Sequence, residues 1–312
     1  MLTTPLRMPK LPAFLERWIA DPPPTWVVEF SEEGVFRALT AAPSDVRFEA
    51  LPAGALHASP VENNLRSFDA VKQAVEGLGL RATGSGAAGR EIPVALLLPD
   101  YSIRTSILDF EDFPARREEQ EPLVRFRLRK IVPYDLDTAR LSFQSFAKQD
   151  GGDGVTVVAS SCPIHVLAEY ESLLRQYRCH PGFVSSSALA SLSLMPAQGV
   201  AMLAKRSGSA MTVAVLEDGV LRLMRTVEMS ELAWEDLLSL LQPMFALVED
   251  QLRSRTEGLA LCGFRDETPA LARALQQEFG VPVAELGSRF GMPQAHNAGA
   301  LGYVQGLGEV VA

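Results

Sequence analysis

Residues 199–229, GVAMLAKRSGSAMTVAVLEDGVLRLMRTVEM, read as three successive strands, GVAMLAKR, AMTVAVLEDG and VLRLMRTVEM. The first two runs are apolar, as buried strands are, and a Glu217–Asp218–Gly219 turn joins the last two. Outward from this meander the next pattern is helical, from Ser230 to about Arg255, with Pro243 interrupting it. The buried strand GLALCGF, the helix PALARALQQEFG ending on Gly280, the strand VPVAEL and a small-residue helix AHNAGALGYVQGL complete the C-terminal half.

The N-terminal half follows the same logic. TWVVEFSEEGVFRALTA is a hairpin turning at Ser31–Gly34, SFDAVKQAVEGLGL an amphipathic helix, and IPVALLLPD a buried strand. The alternating IRTSILDF precedes a helix through ARREEQEPLVRFRLRKIV, with Pro114 in its first turn and Pro122 as a kink. ARLSFQSFA and VTVVAS, joined by a GGDG turn, are strands, and PIHVLAEYESLLRQY is a helix starting at Pro163. Strands meeting long helices in this order give an α/β fold with mixed sheets covered by helices. Before Asp21–Pro24, LPAFLERWIA places Leu11, Phe14, Leu15, Trp18 and Ile19 on one helical face. RATGSGAAGRE is a small-residue connector without phosphate-loop spacing.

Composition narrows the function classes. The 312 residues suggest about two domains, and 47% hydrophobic with 21% charged residues excludes disorder as a description of the whole. A net charge of −9, with no long basic run, argues against a nucleic-acid partner. The most apolar window, Leu232–Leu252, carries Glu235, Asp236, Glu249 and Asp250, so it does not read as a membrane span. Three cysteines make no disulfide framework, and a soluble, cytoplasmic, reduced protein is expected. Cys162, His165, Cys179 and His180 lack compact zinc spacing, and adjacent Cys179 and His180 on a strand would face opposite ways. The serine run Ser185–Ser187 lacks a nucleophile elbow, so no catalytic residues and no metal ligands are assigned.

The stretch from Val94 to Phe146 carries more information. Its closing phrase IVPYDLDTARLSFQ, Ile131–Gln144, resembles the PilM family, the actin-like, FtsA-like cytoplasmic proteins of type IV pilus assembly. The resemblance continues through VTVVASSCPIHVLAEYESLLRQY, VAVLEDGVLRLMRTVEM and NAGALGYVQG, and leaves the N-terminal helix without a counterpart. It implies two actin-like domains with ribonuclease-H-like mixed sheets and an inserted FtsA/PilM-type subdomain. The expected plan is an extension at 1–24, a first domain at 25–195 with the insertion at about 92–160, a second domain at 196–290, and a helix at 291–312 returning to the first domain.

The resemblance also implies an ATP site built from three phrases, each altered in this chain. Glu32 and Glu33 stand where the first loop has small donors; at ~5 Å and an effective dielectric near 20, each would repel a phosphate charge by about 3 kcal/mol. Lys205 or Ala204 replaces the metal-associated aspartate of the second loop, where Gly208 and Ser209 still offer backbone N–H groups and Lys205 and Arg206 positive charge. In the adenosine phrase only Gly263 survives, with Phe264 crowding it. Lys205, Gly208, Ser209 and Gly263 are therefore remnant nucleotide residues of a protein expected to hydrolyse no ATP and to need no cofactor.

By the same resemblance, the function is that of a cytoplasmic adaptor held at the inner membrane by a partner, capturing the cytoplasmic N-terminal peptide of a PilN-like protein near the pilus motor ATPase. Leu123, Phe126, Ile131, Val132 and Tyr134 are the candidate peptide-binding residues, beside a basic cluster of Arg125, Arg127, Arg129 and Lys130. Helix packing alone would also require that apolar face. Two alternatives are an ATP-dependent actin-like ATPase with divergent loops, and the cytoplasmic domain of a type II secretion L-type protein. The latter would continue into a membrane span, whereas this chain ends at Ala312.

Overall fold

The computed structural model describes residues 23–80, 91–147, 154–229, 231 and 233–311. The expected N-terminal helix, nearly all of the small-residue connector and most of the GGDG turn lie outside them. β1 (Trp26–Ser31) and β2 (Gly34–Leu39) form the expected hairpin, with Glu32 and Glu33 at its tip. β3 (Ala42–Ala50) pairs antiparallel with β2 and has no counterpart in the sequence reading. Its sequence, APSDVRFEA, lacks an apolar run because it is an edge strand exposed over most of its length. Helix α1 (Phe68–Gly77) then leads to β4 (Ile92–Leu98), which lies parallel to β1.

β5 (Arg104–Phe110), helix α2 (Arg117–Leu128), β6 (Ala139–Ala147) and β7 (Val155–Pro163) form a separate antiparallel sheet of order β5-β7-β6. The insertion expected from residue 92 therefore starts later, because β4 is a central strand of the first sheet. Pro114 lies before α2 rather than in its first turn, and its carbonyl accepts a hydrogen bond from Gln120 Nε2 at 2.7 Å. Helix α3 (Ile164–Arg175), β8 (Cys179–Ser186) and the short α4 (Ser187–Ser191) follow. The first sheet thus has the order β3-β2-β1-β4-β8.

β9 (Val200–Ser207), β10 (Ala210–Glu217) and β11 (Val220–Glu228) are the predicted meander. Helix α5 (Trp234–Gln251) starts later than expected and runs through Pro243 without interruption, since residues on both sides of the proline are packed into the core. β12 (Gly258–Cys262), α6 (Thr268–Phe279), β13 (Val283–Glu285) and α7 (Ala298–Val311) close the chain. The second sheet has the order β11-β10-β9-β12-β13. Each five-stranded sheet is therefore a meander whose first strand is extended by two parallel strands, and the same topology occurs twice.

Strand periodicity sorts the core. Val28 and Phe30 of β1 face α1 and α3 beside Val75, Tyr170 and Leu173, whereas Val27 faces α7 beside Ala300 and Val304. In the second sheet Met202 and Ala204 face α5, while Ala201 and Leu203 face Met195, Leu286 and Ala298. Lys205 belongs to this second series and so points away from α5. Helix α7 meets α4 through glycines: a Cβ on Gly302 would lie 2.7 Å from Ser191 Cα, and one on Gly299 2.7 Å from Ser187 Cα. Since backbone on both sides blocks relief, Gly302→Val is expected to cost about 1–3 kcal/mol in urea unfolding; an unchanged midpoint would show that the helices do not pack this tightly.

Candidate ligand cleft

Two hairpin tips and two loops converge between the five-stranded sheets. The tips are Glu32–Glu33, between β1 and β2, and Gly208–Ser209, between β9 and β10. The loops are Gly263–Glu267 after β12 and Ala295–Asn297 before α7. The two tips and the Gly263–Glu267 loop bound a cavity of about 430 Å³ lined by Glu33, Arg206, Gly208, Gly263, Arg265 and Glu267 among others. Gly263 has φ +82°, and a Cβ there would run into the Arg206 carbonyl, so only glycine fits.

The two acidic residues of the first tip fasten it to its surroundings. Glu32 Oε2 accepts the Ser209 backbone N–H at 2.8 Å. Its Oε1 accepts the Ser209 hydroxyl at 2.9 Å and the Ala58 N–H at 2.8 Å, with His57 Nδ1 at 3.2 Å. Glu33 meets His296 Nδ1 at 3.4 Å and the Arg265 guanidinium at 2.8 Å. The hydrogen bond with His296, then the Arg265 charge, hold the Glu33 carboxyl below its ordinary range against the opposing effect of burial.

Behind the cleft lies a sealed ionic cluster. Lys205 Nζ donates to Asp100 Oδ2 at 2.6 Å, and both side chains are fully buried. Asp100 Oδ1 also accepts the Ala188 N–H of α4 at 2.6 Å. Glu29, on the α7 face of β1, accepts the Ser187 hydroxyl and the Ala300 N–H in the first turn of α7. Burial pushes the Glu29 carboxyl up despite the nearby Lys205 charge. Burial alone would push the Lys205 ammonium down, but Asp100, Cys262 and Glu29 outweigh it and hold it above its ordinary value.

No protein-family model and no curated protein matches the sequence. Among solved structures, the PilM–PilN type IV pilus biogenesis complex matches with a TM-score of 0.70, at 15% identity, over 90% of this chain and 97% of the other. The fold is actin-like. The cytoplasmic domain of EpsL, an inner-membrane component of the Vibrio cholerae type II secretion system, matches with a TM-score of 0.52 at 11% identity, covering 91% and 94% of the two chains. A Bacteroides thetaiotaomicron protein of actin-like ATPase fold matches with 0.51 at 15% identity, covering 90% and 95%.

In this actin-like frame the sequence-predicted residues separate. Gly208 and Gly263 do line the cleft. Lys205 is corrected: its pairing with Asp100 removes it from any ligand, and Arg206 alone of that basic pair reaches the cavity. The Ser209 donors are not free either, since Glu32 uses them. Phe264 also lines the cavity, and its side chain is buried in the core of the second sheet. Asp100 was missed, although an aspartate directly after an unbroken apolar strand and its proline was the available signal.

The five candidate peptide-binding residues also separate. Leu123, Val132 and Tyr134 pack against the core of the three-stranded sheet, and the Tyr134 hydroxyl donates to the Ser161 carbonyl at 2.8 Å. Phe126 and Ile131 stay 57% and 56% exposed. The basic cluster is partly neutralised, with Arg125 on Glu121 and Arg129 on Asp137, each at 2.9 Å, while Lys130 lies 5.3 Å over the Phe126 ring. Cys179 is buried and His180 exposed, as strand alternation requires, and Cys162 is buried while His165 is exposed. Burial pushes each of the three thiols up to about 12. Among the described residues, no group of three or more His, Cys, Asp and Glu side chains is placed to hold a metal ion, and no helix is long and apolar enough to cross a membrane.

Two outcomes test the cleft. Lys205→Met strands the Asp100 charge and is expected to cost about 3–5 kcal/mol in urea unfolding; Lys205→Met with Asp100→Leu should lose less than the single variant. Equal losses would show that the pair is not coupled. Glu33, with its folded pKa below the ordinary 4.5, contributes stability above that value and loses it as pH falls through the lowered one. Glu33→Gln should therefore flatten the decline of stability below about pH 4.5, and an unchanged slope would refute the clamp with His296 and Arg265.

Proposed function

We propose that this chain is a non-hydrolysing actin-like adaptor in the inner-membrane assembly machinery of a type IV pilus, where it binds the cytoplasmic N-terminal peptide of a PilN-like membrane protein. The observation that carries the reading is the likeness, over nine-tenths of the chain, to a chain of the PilM–PilN type IV pilus biogenesis complex. The likeness to the EpsL cytoplasmic domain supports the related secretion-system version of the same role. A peripheral position at the inner membrane, through the partner, and proximity to the motor ATPase belong to the same proposal.

The cleft supports the non-hydrolysing part. The Ser209 donors of the second tip are spent on Glu32, and Lys205, which stands in for the metal-associated aspartate, is locked to Asp100. A cation there repels Mg²⁺ where a carboxylate would hold it. The exposed Phe126 and Ile131 are the apolar anchors for an extended peptide, since Leu123, Val132 and Tyr134 already serve their own sheet.

Calorimetric titration with Mg-ATP and with the N-terminal peptide of a PilN-like protein encoded beside this one tests the reading. The peptide should bind equally with and without Mg-ATP, and Mg-ATP should give only heat of dilution. Phe126→Ala and Ile131→Ala should weaken the peptide about tenfold or more while moving stability by about 0.5 kcal/mol or less. Micromolar Mg-ATP binding with turnover would instead establish the ATPase alternative, and unaltered peptide affinity in both variants would remove Phe126 and Ile131 from the interface.

A further inference from the structure

The Glu32 carboxylate sits in a site with the chemistry of an oxyanion cradle. Three donors converge on its two oxygens, the Ser209 N–H and hydroxyl and the Ala58 N–H, at 2.8, 2.9 and 2.8 Å, and His57 Nδ1 lies 3.2 Å from Oε1. They come from opposite sides of the cleft, Ser209 from the second sheet and His57 and Ala58 from the segment after β3. Gly208, with φ +58°, turns the second hairpin tip so that bare backbone faces the anion; a Cβ there would collide with Glu32. Backbone N–H groups around a left-handed glycine, with an adjacent hydroxyl, are the ordinary means of holding phosphate.

We infer that the cleft retains a working oxyanion site occupied by the chain's own Glu32, a tethered carboxylate that joins the two halves in place of a bound tetrahedral oxyanion. The carboxylate enters with the hairpin tip, so it requires no diffusing ligand and pays no translational entropy on binding. The closed cleft is then a property of the folded chain. Glu33 reinforces it from the same tip through Arg265 and His296, and His57 also faces Glu228 at 3.5 Å. A carboxylate satisfied by one partner would say little about the cradle, but three donors from two sides define a receptor for a compact anion. The inference does not rest on the adaptor reading: loss of peptide binding would leave it untouched.

Chemical rescue tests it with the full chain and inorganic phosphate as the probe. Thermal unfolding of the native sequence, Glu32→Ala and Glu32→Gln is followed across a phosphate series, with chloride matched for ionic strength. Glu32→Ala should melt at lower temperature than the native chain, and phosphate should restore most of that loss saturably. The native chain should show no more response to phosphate than to chloride. Glu32→Gln, which fills the cradle with a neutral amide, should be destabilised and unresponsive, and Glu32→Ala with Ser209→Ala should need several-fold more phosphate. If Glu32→Ala does not fold in chloride, recovery of the folded chain on refolding in phosphate reads the same effect. A Glu32→Ala variant that melts with the native chain, that responds to phosphate no more than to chloride, or that folds in neither salt would overturn the inference.

Discussion

The buried Lys205–Asp100 pair sets the terms for the rest of the molecule. An ammonium and a carboxylate, both removed from water, cost several kcal/mol each in solvation, and only a close, well-bonded partner offsets that. Lys205 comes from the first strand of the second sheet, and Asp100 directly follows a central strand of the first. Neither half buries its charge satisfactorily alone. Asp100 in turn accepts the N–H of Ala188, and Glu29 fixes Ser187 and the first turn of α7, so the short helix and the closing helix are positioned by the same acidic pair. The contacts of α7 with α4 through Gly299 and Gly302 follow from that placement.

In front of the pair the chain uses charge differently. Glu32 and Glu33 sit at a solvent-facing tip and are held by donors and cations of the facing elements. The arrangement strengthens as one moves inward: half-screened clamps at the mouth, a fully desolvated pair at the base. An actin-like cleft built this way is held by protein groups, while Phe126 of α2 and Ile131, just beyond the end of that helix, stay exposed beside the three-stranded sheet.

Much of this was legible from local pattern. The hairpin turning at Ser31–Gly34, the β9–β11 meander, α6 with its Gly280 cap and the small-residue α7 all follow from periodicity and turn chemistry. β3 was not legible because an exposed edge strand has no apolar signature, and β8 was hidden behind its Pro181 and its serines. Pro243 misled because a proline in a helix loses one hydrogen bond, while α5 is held by Leu237, Leu240, Leu241, Met244 and Val248 packing on the second sheet.

For the cleft, the sequence by itself determined which residue types stand at the two hairpin tips. It also determined the α/β class, since hydrophobic period and glycine position act over a few residues. Only the tertiary structure decided that Lys205 is spent on Asp100, that Glu32 fills the donors of Ser209, and that Phe126 and Ile131 remain uncovered while Leu123, Val132 and Tyr134 do not. The reason is range. Lys205 and Asp100 are 105 positions apart, and Glu32 and Ser209 177, so their meeting depends on how two sheets face each other.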